Sequence, residues 1–281
     1  MPGSIPASAT ARRGLLRGGA GRLGLALTLA LLAVALFAGR IAPGDPFASV
    51  GPALSAPTRA HPMGTDDLGR DVLAGVVHGV RTSLLAALGV SVCAGLVGVG
   101  VGGLAAWQGG LVDAGLMRLT EFVQVVPRVF LAVIVIAVFG PGIDRLALLL
   151  GLTSWPWIAR VVRAEVLSLQ HREFVEAARS LGAGPFRVLL REVLPNALPP
   201  VIVVVSLTAA GVILIEAGLA FLGLGDPEVV SLGYLANNAQ RFLRVAWWMA
   251  TFPGAMIALA VLALNALGDG LNDALDPRRG A

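Results

Sequence analysis

The 281-residue sequence contains no lysine: all 21 of its Lys/Arg positions are arginine. A phosphate-binding P-loop needs a lysine to reach the β- and γ-phosphates, and a Schiff-base enzyme needs a lysine amine. This polypeptide can be neither, so if ATP drives it, another subunit binds the nucleotide. Cysteine occurs once, at Cys93, which excludes an intrachain disulfide and any multi-cysteine metal site. It sits in an apolar run, where a small packing residue is expected. The three histidines, His61, His78 and His171, lie far apart and lack metal-ligand spacing. No catalytic triad or redox pair is present, and no catalytic or metal-binding residue is assigned.

Charge is also scarce. Only 14% of residues are charged and 56% are hydrophobic, with a mean hydropathy of +0.82. A soluble domain of this size needs far more charge to cover its surface, so the excess apolar material calls for the bilayer as solvent. The net charge of +4 does not point to nucleic acid, because the arginines lie between apolar runs, as in membrane topology.

The apolar runs divide the chain into one all-α membrane domain with six expected spans. Residues 1–22 form a basic tail, and 23–39 are just long enough for a first, uncleaved transmembrane helix. Residues 40–81, with Pro43, Pro46, Pro52, Pro57 and Pro62, read as an extramembrane loop with short turns. From residue 82 onward a core of five helices is expected, at 82–112, 122–140, 143–162, 193–215 and 245–268. The 82–112 run is rich in glycine (Gly89, Gly95, Gly98, Gly100, Gly102, Gly103), which suits close helix approach in lipid. Pro127 and Pro156 should kink or unwind their helices, and Trp247 and Trp248 fit an interfacial aromatic belt. The arginine distribution favours both termini on the cytoplasmic side.

The charged stretch 163–195 stands out. Phe174, Ala177, Ala178 and Leu181 fall at i, i+3, i+4 and i+7, and Phe186, Leu189, Leu190 and Val193 repeat that spacing after Gly182-Ala-Gly-Pro185. Two short amphipathic helices are expected, with Gly182 ending the first in a backbone angle that a Cβ would hinder. Such an elbow could dock an apolar stripe into a groove on a soluble partner, or it could be an ordinary loop resting on the bilayer. Periodicity alone favours the loop.

Resemblance weighs the other way. Glu176-Ala-Ala178, then Gly182, then Leu194-Pro195 resemble the EAA loop of bacterial ABC importer permeases. Three further stretches are similar to one branch of that family, the second permease subunit of dipeptide, oligopeptide and nickel importers. They are His61-Pro-Met-Gly-Thr-Asp-Asp-Leu-Gly-Arg-Asp71, Glu216-Ala-Gly-Leu-Ala-Phe-Leu-Gly-Leu-Gly225 and Asn265-Ala-Leu-Gly-Asp-Gly-Leu-Asn-Asp-Ala-Leu-Asp-Pro277. The four matches run in the family's order from about residue 60 to the end. Glu192 departs from the general pattern, which often has a hydrophobic residue there.

The resemblance implies a type I importer permease in the bacterial inner membrane that forms half of a translocation pathway. Its implied partners are a second homologous permease, two ATP-binding subunits that carry the ATP and Mg, and an extracytoplasmic binding protein. The chain itself is expected to bind no cofactor. Peptides are the expected cargo, with nickel or another small solute of the same branch as the alternative. A self-sufficient secondary transporter is the rival from another class. Glu176, Ala177, Ala178, Arg179, Gly182, Phe186, Leu194 and Pro195 are the expected coupling residues. Glu216, Glu121 and Arg128 lie within or near apolar spans, where an ionisable group costs roughly 2.5 kcal/mol or more unless it faces a partner, water or the pathway. Glu121 and Arg128 are expected on one helix face, seven residues apart.

Overall fold

A computed structural model describes residues 19–275, so most of the basic tail and the C-terminal arginines lie outside the described residues. Helix α1 (Gly19–Leu36) breaks at Phe37 and continues as the single turn α2 (Ala38–Ile41). The central helix α3 spans Val72–Gln108. It is followed by α4 (Gly110–Val125), α5 (Arg128–Phe139) and α6 (Ile143–Leu169). The elbow consists of α7 (Glu173–Ser180) and α8 (Pro185–Val188). Then come α9 (Leu194–Leu219), the short α10 (Leu232–Ala239) and α11 (Trp248–Leu275). Among the described residues there are no strands, only two isolated bridges in the loop before α3.

Three helical bodies are long and apolar enough to cross a membrane: α3, the continuous stretch Pro185–Leu224, and α11. Together, α4 and α5 make a fourth candidate, bent by 73°. The six expected spans are therefore only partly matched by length and apolarity. Helix α1 is short, and α6 carries Asp144, Arg145, Arg160, Arg163 and Glu165.

Several expected boundaries are corrected. The second helix starts at Val72 rather than residue 82, because Asp71 caps it by accepting from the Leu73 N–H at 3.3 Å. At its other end, Gly109 and Gly110, both at positive φ, stop it before 112. The expected third span, 122–140, is two helices. Pro127 has no N–H to donate and Val126 is extended, so the ladder breaks there. Pro156, by contrast, is accommodated within a continuous α6. The second half of the elbow does not end before the fifth span. It runs into α9 through a π-helical turn at Leu189–Val193, where Pro195 has no N–H to donate and the Asn196 side-chain amide donates to the Glu192 carbonyl at 2.5 Å.

Helix α3 packs most extensively on α6, and glycine permits it. A Cβ at Gly98 would sit 2.7 Å from the Ile158 side chain, and one at Gly102 would overlap the Ala159 carbonyl. One core joins α1, α3, α6, α9 and α11 through Leu31, Leu84, Leu150, Ile213 and Leu264. A second, around Ile158, Val162, Val175, Val188 and Val193, roots the elbow on α3, α6 and α9.

The loop before α3 is ordered by a buried threonine. Thr65 donates to the Pro52 carbonyl at 2.6 Å and accepts from the Ser55 N–H at 2.9 Å. The Trp248 indole N–H donates to the Thr65 carbonyl at 3.1 Å. Trp248 is thus buried against the loop and only Trp247 is exposed, which corrects the expectation that both belong to an aromatic belt. Asp66 accepts from the Leu68 and Arg70 N–H groups. Burial raises its carboxyl above the usual aspartate range despite those donors.

Candidate coupling surface and intramembrane polar contacts

Helix α7 is eight residues long, with Glu173 and Glu176 in its first turn, where the helix dipole favours acids, and Arg179 in its last. It ends in a Schellman motif. Gly182, at φ +81°, donates to the Arg179 carbonyl at 2.9 Å, and Ala183 donates to the Ala178 carbonyl at 3.1 Å. No neighbouring atom lies within 4 Å of a Cβ built at Gly182, so the requirement for glycine there comes from the backbone angle alone.

The two amphipathic helices each divide into an anchored side and an open side. Val175, Val188, Leu189 and Val193 are buried in the core beneath. Phe174, Leu181, Phe186 and Leu190 point away from that core, with Leu181 89% exposed. The expected stripe on α8 is therefore split, since Leu189 and Val193 are anchors while Phe186 and Leu190 are free. Of the expected coupling residues, Glu176, Ala177, Arg179, Gly182, Phe186 and Pro195 are exposed, whereas Ala178 and Leu194 are partly buried. The missed anchor is Trp107, at the end of α3. The Arg179 guanidinium lies over its ring, 5.3 Å from the centroid.

A second missed contact lies next to the elbow. Arg163 on α6 holds Asp113 on α4 through both carboxylate oxygens, Nε to Oδ1 and Nη2 to Oδ2, each at 2.6 Å. Fifty residues separate the two in sequence, and no local pattern links them.

Glu216, in the last turn of α9, is buried, 5% exposed. Ser83 on α3 donates to its carboxylate at 3.2 Å and also accepts from the Leu232 N–H. Ser231, the N-cap of α10, lies beside the same carboxylate. Glu216 therefore joins α9, α3 and α10 from within and faces these helices' own serines. Glu121 and Arg128 do not share a helix face, because the break at Pro127 lies between them. Glu121 instead pairs with Arg118 one turn earlier, at 2.9 Å. Arg128 opens α5 beside a cavity of about 250 Å³ that Ser154, Trp157, Thr208 and Gly211 also line. Among the described residues no group of His, Cys, Asp and Glu is arranged to hold a metal ion.

Residues 98–280 match the family described as the binding-protein-dependent transport system inner membrane component. The dipeptide transport system permease protein DppC of Escherichia coli K12 is 41% identical over 264 residues, covering 91% of this chain and 88% of that protein. The di/tripeptide transport system permease protein DppC of Pseudomonas aeruginosa UCBPP-PA14 is 37% identical, covering 91% and 87%. A chain of the MetNI methionine ABC transporter, solved in an inward-facing conformation, superposes with a TM-score of 0.58 at 20% identity. The match covers 71% of this chain and 96% of that one. At that identity the likeness is one of fold.

Proposed function

The chain belongs to the family of inner membrane components of binding-protein-dependent transport systems, and from that premise we propose that it is the permease subunit of an ATP-driven peptide importer. The peptide cargo rests on the DppC relatives, which cover nearly the whole chain. The lysine-free composition leaves no P-loop in this chain, which supports binding of the nucleotide by other subunits. Two ATP-binding subunits supply it, a second homologous permease completes the pathway, and an extracytoplasmic binding protein delivers the peptide. In this reading α1, α3, the bent α4–α5 pair, α6, Pro185–Leu224 and α11 are the six spans, with both termini in the cytoplasm.

The observation that carries the coupling role is the divided elbow. Its roots are fixed in the bundle by Val175, Val188 and Val193, while Phe174, Leu181, Phe186 and Leu190 are left exposed beside Glu176. A rigidly rooted, outwardly apolar helical turn suits a groove on a soluble partner. Closure of the ATP-binding pair would then push on the elbow, and α9, continuous with it, would carry the displacement into the membrane.

Purification of the tagged chain from its native membrane tests this. ATP-binding subunits should copurify, and Glu176→Ala should release them or uncouple hydrolysis from uptake. Wild-type chain isolated without any nucleotide-hydrolysing subunit would contradict the proposal.

A further inference from the structure

Arg128 occupies an unusual position. It is the first residue of α5, directly after the break at Pro127. Among the described residues no carboxylate lies within ion-pair distance of it: Glu121 is taken by Arg118, and Asp113 by Arg163. The cavity it lines lies midway along α6 and α9. A cation at membrane depth requires an anion, a dipole or water to face.

Two further features of this cavity favour an anion. Ser154, 2% exposed, lines it with a hydroxyl that has no hydrogen-bond partner. Neighbouring hydroxyls on the same helices are satisfied, because Thr153 bonds the Leu149 carbonyl and Thr208 the Val204 carbonyl. Of these three hydroxyls only that of Ser154 keeps a donor free, and buried polar groups are rarely left so. The N-terminus of the twelve-residue α5 has no side-chain cap and no acid in its first turn. Its first internal bond is made by Leu131 N–H to the Pro127 carbonyl, so the preceding N–H groups have no intrahelical acceptor. Arg128 at the positive end of α5 and Ser154 with its unpartnered hydroxyl both line this one cavity.

We propose that this cavity is a carboxylate subsite of the translocation path. Arg128 pairs with the C-terminal carboxylate of the peptide in transit, Ser154 donates to it, and the Trp157 ring and the open wall at Gly211 accommodate the adjoining residue. The proposal rests on the peptide-importer reading above. A lipid headgroup phosphate is the other source of an anion at such a site.

The test uses the complete importer, with both permeases, both ATP-binding subunits and the binding protein, in liposomes of phosphatidylcholine alone and in liposomes containing anionic lipid. Uptake of a labelled dipeptide and ATP hydrolysis stimulated by the loaded binding protein are read together. In both lipids, Arg128→Gln should lower uptake at least tenfold while stimulated hydrolysis persists, and Arg128→Lys should retain more uptake than the glutamine variant. Ser154→Ala, a smaller change in packing, should lower uptake severalfold. Uptake by Arg128→Gln equal to wild type overturns the subsite and leaves the importer reading intact. So does an Arg128→Gln effect seen only in anionic lipid, which assigns the cavity to lipid phosphate. Absence of peptide uptake by the wild-type complex overturns both.

Discussion

The Arg179 guanidinium lies 5.3 Å from the centre of the Trp107 ring, so the last turn of the elbow's first helix rests on the end of the central helix α3. A cation–π contact of this kind contributes about 0.5–2 kcal/mol, depending on how far it is desolvated. A double-mutant cycle with Arg179→Ala and Trp107→Leu, read by thermal unfolding of the purified complex, should give a coupling energy of about 0.5–1 kcal/mol. Strictly additive effects would show that the two groups do not support each other.

The turn after α7 depends on one backbone angle. Gly182→Ala places a Cβ in open space but at φ +81°, at a cost of about 1–2 kcal/mol for an ordinary L-residue. Gly182→Asn should be milder, because asparagine tolerates the left-handed region. ATP-coupled uptake should fall in the order glycine, asparagine, alanine, with the ATP-binding subunits still present in the alanine variant at reduced occupancy.

The Arg163–Asp113 pair ties α6 to α4 through two charge-assisted bonds. Asp113→Asn leaves the partly buried guanidinium with a weaker partner, and a loss of about 1.5–3 kcal/mol is expected. The charge-reversed double variant, Asp113→Arg with Arg163→Asp, should recover part of it. Melting of the detergent-solubilised complex measures both.

On the opposite end of the bundle, Trp248 holds the loop before α3 through its indole N–H. Trp248→Phe keeps the ring's bulk and removes the donor, leaving the buried Thr65 carbonyl without this bond. A loss of about 1–3 kcal/mol is expected, confined to the loop. Limited proteolysis should cut residues 42–71 faster in the variant while the spans stay protected.

The all-helical class and the family were legible in the sequence because hydrophobic runs and the Glu176–Pro195 pattern are local. Gly182 was legible for the same reason, as the ending of a short amphipathic helix. What could not be read depended on partners distant in the chain. Asp113 finds Arg163, Ser83 finds Glu216 and Trp248 finds Thr65 only after the bundle assembles. Periodicity placed Phe186, Leu189, Leu190 and Val193 on one stripe, but the π-helical turn at Leu189–Val193 shifts the register, so two face inward and two outward. The start of α3 was misplaced by the polar residues His78 and Arg81. Asp71 followed by an apolar run was the available capping signal.

The central claim is that the elbow is seated in a nucleotide-hydrolysing partner on the cytoplasmic face. Cys93 is the only cysteine, so Cys93→Ser provides a cysteine-free background in which Leu181→Cys, at the most exposed of the elbow's large apolar residues, carries a photoactivatable cross-linker. The account predicts an adduct with an ATP-binding subunit in the assembled importer, and labelling of the thiol only from the cytoplasmic side of sealed vesicles. Labelling from the outside, or an adduct with no ATP-binding subunit, would contradict it.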